Sequence, residues 1–325
     1  GRGLRGAAIK AAEKAADIPE LVGGLAGMTG PVLASVSSDD LDECLSSMRI
    51  LEKVARSGMT AAEGVCLTGG CMQQIVAAAE KHRAAVDIRV AIAGLVEALV
   101  RSGSDDCPIL VAHHATPIII ALAKTSDVDM QMRALKILRS LAVVGINKFT
   151  MQKTYAAIHE LVPLLARQDP SQQALVSEIL AHMASTDNAF YGENAKALGE
   201  ARALKPLMVL AKSRDSVVHR NATWALAAMS ACEKNHVPMR ACIDTLLMVI
   251  ERGTPVAQRY AVMAVSNMAA TDRTRDILKE KGAEGILRKC AHNNAGDRML
   301  SDLIHKTALH NLKRNGTQVF NIPAP

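Results

Sequence analysis

Aromatic side chains are almost missing from this 325-residue sequence, which has three Phe, three Tyr and one Trp, while 49% of residues are apolar. A large single core built around rings is thereby excluded. What remains to fill an interior is Ala, Leu, Val, Ile and Met, which suits thin layers of packed helices. Alternating β-branched and polar residues, the mark of half-buried strands, are also lacking over any useful length. No GxxxxGK[ST] phosphate loop, HExxH metal helix or CxxC pair occurs. Gly1-x-Gly3-x-x-Gly6 matches a dinucleotide fingerprint by letters alone, without the strand that must precede it. The seven cysteines are odd in number and imply a reducing compartment. No apolar signal-peptide core opens the chain. The longest apolar stretch, 107–123, is expected to be interrupted by His113, His114 and Pro117, and so is not read as a membrane span.

What the chain does have is a repeat. An apolar-apolar-x-x-apolar pattern ends at Val54, Leu99, Leu141, Met183, Met229, Met268 and Leu312. Successive ends are 45, 42, 42, 46, 39 and 44 residues apart. A second pattern, a small residue followed by apolar positions at helical spacing, begins at Cys71, Ala157, Ala203 and Cys242. From its first large residue to the next anchor the count is 25 for 158→183, 204→229 and 243→268, and 26 and 27 for 28→54 and 72→99. Two helical segments held at a fixed offset form one supersecondary unit. The link to the next unit varies but has room for a short third helix. Gly58, Gly103, Gly145 and Gly316 stand where such a link opens, as helix-stopping residues in the left-handed region would. Pro170 and Pro255 fall where the long third helix should begin, and the missing N–H costs least there. A period of this size predicts an all-α array.

A three-helix unit of about 42 residues resembles the armadillo repeat. The best matches are Arg220-Asn221-Ala222-Thr223-Trp224-Ala225-Leu226, Ser266-Asn267-Met268-Ala269 and the turn Lys281-Gly282-Ala283-Glu284-Gly285-Ile286-Leu287. HEAT repeats are the near rival, with two helices per unit. The resemblance implies a right-handed superhelical solenoid over residues 27–316, with 1–26 a helical cap or the remnant of a processed leader and 317–325 a polar tail.

No enzyme is expected, and no metal or cofactor. His113 and His114 are helix neighbours that point apart, and Glu178 with His182 reads as an ordinary i, i+4 pair. The net charge of +6 is spread along the chain without stacking aromatics, so nucleic acid is not the expected partner. In armadillo proteins the resemblance places ligands on the concave face of the third helices. The nuclear-import adaptors of that family repeat a Trp, with an Asn four residues on. Here the first position holds Arg49, Gly94, Lys136, Glu178, Trp224, Met263 and Thr307, and the second Lys53, Ala98, Ser140, His182, Ala228, Asn267 and Asn311. No repeat has both, so that branch is set aside. The partner-binding residues expected are Arg49, Lys53 and Lys136 at a basic end that receives an acidic element, then Glu178, His182, Trp224, Asn267 and Asn311, with Trp224 the anchor. Phe190 and Tyr191 are candidate loop contacts. Two functions stay open. One is a cytoplasmic scaffold or adaptor. The other is an accessory subunit of a large complex, in the mitochondrial matrix, suggested by the basic composition and a start at Gly1.

Overall fold

A computed structural model describes residues 2–186 and 190–313. All regular structure among them is helical, with no strand. The contacts divide the chain into two compact units, Gly1–Met151 and Gln152–Pro325.

The first unit begins with α1 (Arg2–Ala15), α2 (Pro19–Ala26), α3 (Thr29–Val36) and α4 (Leu41–Arg56). It continues through α5 (Met59–Leu67), α6 (Cys71–Lys81) and α7 (Val86–Val100) to α8 (Asp106–Ala123), α9 (Val128–Val143) and the start of α10 (Gly145–Tyr155). Long third helices lie side by side, α1 on α4, α4 on α7 and α7 on α9. In α8 the first and second helices of a repeat are one continuous rod, so the expected break at Pro117 does not occur. Pro117 faces solvent, where the carbonyl it leaves unpaired can be hydrated. By length and composition alone α8 is apolar enough to cross a membrane, but 56% of it is buried inside the unit.

The second unit contains α11 (Ala157–Leu161), α12 (Pro170–Ala184), α13 (Tyr191–Glu200), α14 (Leu204–Leu210) and α15 (Ser216–Ser230). After these come α16 (His236–Met239), α17 (Ile243–Arg252), α18 (Pro255–Met268), α19 (Asp272–Glu280) and α20 (Ala283–Asn293). The last third helix is α21 (Arg298–Leu303), one π-helical turn and α22 (Leu309–Lys313). Here too the third helices adjoin, α12 on α15 and α15 on α18.

Three local devices repeat, each with a physical cause. All seven anchors are at most 1% exposed, because the end of each third helix turns inward against its neighbours. Asp40, Asp127, Asp169, Asp215, Thr254 and Asp297 cap the third helices, each side chain accepting from main-chain N–H groups of the first turn. Only α7 lacks one, having Ala85 there. The residue before the second helix's small position is left-handed in four repeats: Gly70, Ala156, Arg202 and Gly282, with φ of 76°, 48°, 61° and 73°. At Arg202 the turn closes with Ala203 N–H donating to the Leu198 carbonyl at 3.0 Å, which finishes α13. Ala156 and Arg202 hold this conformation at a cost of roughly 1–3 kcal/mol each.

Pro170 and Pro255 open α12 and α18 as expected. Gly103 is left-handed (φ 86°), whereas Gly145 is not and begins α10. Gly316 and the tail at 317–325 lie outside the described residues. The small positions Cys71, Ala157, Ala203 and Cys242 are fully buried, and burial pushes the Cys71 and Cys242 thiols up to about 12.

Candidate groove on the third helices

In the first unit the groove face is already neutralised. Arg49 donates to Glu13 at 3.3 Å and Lys53 to Asp17 at 2.5 Å, so α1 carries the acids that face these cations. Lys10 reaches Asp42 at 3.1 Å in the opposite sense. This corrects the expectation that Arg49 and Lys53 stand bare for a partner's acidic element. They also do not form a set with Lys136, which is exposed on α9 two third helices away. The Trp-equivalent position of α7 is Gly94. A Cβ there would fall 2.3 Å from a Glu52 carboxylate oxygen, so the glycine gives room for Glu52 to lie across from α4.

Glu97 on α7 accepts from Arg133 of α9 at 2.8 Å and from Arg101 at 3.4 Å. Burial alone would raise its carboxyl, but the two guanidiniums prevail and hold it below the ordinary carboxylate range. The stability it contributes is therefore present above the unfolded-state value near 4.3 and is lost as pH falls through the lower folded value. Melting curves of wild type and Glu97→Gln should converge below that range and separate above it, with wild type higher.

In the second unit a buried aromatic row crosses adjoining third helices. His182 of α12 meets Trp224 of α15 edge-on, with centroids 4.7 Å apart and planes at 79°. On its other side Trp224 stacks with Tyr260 of α18, at 5.8 Å and 21°. Trp224 is 1% exposed, so it is a core residue rather than a free anchor, which corrects the role expected of it. Its indole N–H has no acceptor among the described residues. Glu178 lies 3.9 Å from His182, as the i, i+4 spacing suggested. Buried Asn267 donates to the Ser230 hydroxyl at 3.1 Å, and Asn311 to the Ser266 carbonyl at 3.2 Å. These amides tie each third helix to the one before, so the expectation that both face a partner is also corrected. Phe190 is exposed and Tyr191 half-buried at the start of α13.

Two participants were not foreseen. Tyr260 completes the aromatic row from one helical turn before Met263, 36 residues after Trp224 where the pattern gives 39. Buried Asn147, Asn194 and Asn235 stand in the first-helix segments. They donate to the carbonyls of the anchors Leu141, Met183 and Met229, at 3.2, 2.7 and 2.9 Å. Each anchor therefore has its side chain in the core and its main chain bonded to the following repeat. Among the described residues no group of three or more His, Cys, Asp or Glu is placed to hold a metal ion.

The family model for the armadillo/beta-catenin-like repeat matches residues 193–231, which span the three helices α13, α14 and α15. An engineered protein superposes with a TM-score of 0.64 at 18% identity, over 95% of this chain and 85% of its own. A designed armadillo repeat protein gives 0.56 at 19%, over 87% and 98%. Another, solved in complex with the peptide (KR)4, gives 0.56 at 18%, again over 87% and 98%. At these identities the likeness is one of fold. No curated protein matches the sequence.

Proposed function

We propose that this armadillo-repeat protein is a non-enzymatic scaffold that holds a protein partner along the third helices of its second unit. The observation that carries the reading is the His182–Trp224–Tyr260 row on adjoining third helices, whose central indole N–H has no acceptor among the described residues. The indole itself is buried, so a partner is met by the side chains around the row rather than by Trp224. Half-buried Glu178, Arg220 and Met263 surround the row and give a partner both charge and apolar contact. The designed relative that carries (KR)4 supports the general use of such a face for an extended chain. The first unit's face, laced with its own ion pairs, is the poorer site.

A photo-crosslinking residue at Met263, compared with one at the exposed Val209 on α14, tests this in extracts of the native source. The groove reading expects one partner protein to be trapped from Met263 and none from Val209. Trapping from Val209 alone would overturn it in favour of the accessory-subunit reading, in which the solenoid spaces other subunits.

A further inference from the structure

A second site lies away from the groove, at the turns between second and third helices of two successive repeats. The turn joining α14 to α15 and the turn joining α17 to α18 line an open depression of about 270 Å³. Its walls carry Lys212, Arg214 and Arg252, together with Ser213, Ser216 and Thr254. Arg252 leans on Glu251 at 3.4 Å, and Glu251 is itself drawn to Lys289 at 3.1 Å. The side chains of Lys212 and Arg214 have no ion-pair or hydrogen-bond partner among the described residues. The one acid of the turn, Asp215, is committed to capping Val217 and Val218. The N-termini of α15 and α18 both open here and add their partial positive charge.

The base of the site is His219, 8% exposed. Its Nδ1 lies 2.7 Å from the Ala211 carbonyl, and since a carbonyl can only accept, Nδ1 carries the proton. That leaves Nε2 as a buried lone pair, and it has no partner among the described residues. Gly253 keeps the space beside it. A Cβ there would fall 2.5 Å from the Val249 carbonyl oxygen and 3.0 Å from Nε2, so a larger residue would crowd both.

We infer that this site binds a phosphate monoester, with Lys212, Arg214 and Arg252 meeting its charged oxygens and His219 Nε2 its hydroxyl. A hydrogen-phosphate group answers both demands of the site. Its anionic oxygens make charge-assisted bonds to the cations. Its single acidic proton lies between a phosphate oxygen and Nε2, whichever of the two holds it. Sulfate, which has no such proton at neutral pH, meets only the first demand. The phosphate arrives on a phosphorylated residue of a protein, which rests on the protein-binding role proposed above.

The test is a titration of the full chain with inorganic phosphate at constant ionic strength, set by chloride. The expected result is one saturable site, with the His219 imidazole nitrogen resonances moving in step with occupancy. Lys212→Gln with Arg214→Gln should weaken binding about tenfold or more, as loss of two charge-assisted bonds does. Lys279→Gln, on the exposed side of α19, should leave it unchanged. A phosphoserine peptide should bind above its unmodified form, whereas capture by phosphatidylcholine vesicles only when they carry phosphatidylinositol phosphate, with no preference for the phosphopeptide, would overturn the protein source in favour of a membrane. Absence of saturation, unmoved His219 signals, or equal affinity in the double variant would each overturn the assignment. The site would then be a cationic edge without specificity.

Discussion

Trp224→Ala is expected to lower the stability of the second unit by about 3–5 kcal/mol, as removal of a fully buried large aromatic does. The indole is 1% exposed and touches rings from both neighbouring third helices, so its loss opens a cavity across three repeats at once. Trp224→Phe should cost far less. It keeps much of the ring contact, and the N–H it removes has no acceptor among the described residues. Urea unfolding monitored by far-UV circular dichroism measures both. A Trp224→Ala midpoint close to wild type would show that the row is not part of the core. The pair also separates fold from function, because only Trp224→Phe can report on partner binding in a folded chain.

Leu141→Ala should cost about 2–5 kcal/mol, in the range of other buried large-to-small changes. The expected signature is its spread. In a repeat array each unit is stabilised by its own contacts and by those of its neighbours. Leu141 is fully buried at the end of α9, whose neighbours are α7 and α8. Amide exchange should therefore accelerate most in α7, α8 and α9 and fade with distance along the chain. Uniform acceleration from α1 to α22 would contradict nearest-neighbour stability and mean that the array unfolds as a single body.

Architecture was legible because it depends on periodic burial, and burial leaves an apolar imprint. Val54 through Leu312 could be found from spacing alone, and so could the proline starts at Pro170 and Pro255. The caps at Asp40, Asp127, Asp169, Asp215, Thr254 and Asp297 were equally regular but passed unread, since one polar letter per repeat is faint beside three apolar ones. Charge pairing was illegible. Whether Arg49 and Lys53 face solvent or Glu13 and Asp17 depends on α1 lying beside α4, and no local pattern encodes that neighbour. Trp224 misled for a similar reason. Its position on the groove helix was right, but its exposure depends on Tyr260, which arrives from the next repeat a turn out of register.

The first-helix segment is the one part of each repeat that takes no fixed form. It is an independent helix in α5, α10, α13 and α19, is merged into the rod of α8, and shrinks to the four residues of α16 flanked by tight turns. The second and third helices keep a tighter offset: from small position to anchor it is 26 residues at Ala157, Ala203 and Cys242 and 28 at Cys71. Length changes before a second helix are thus absorbed at the edge of one repeat, while those between second and third helix must be taken up in the turn that joins them for the anchor to stay buried.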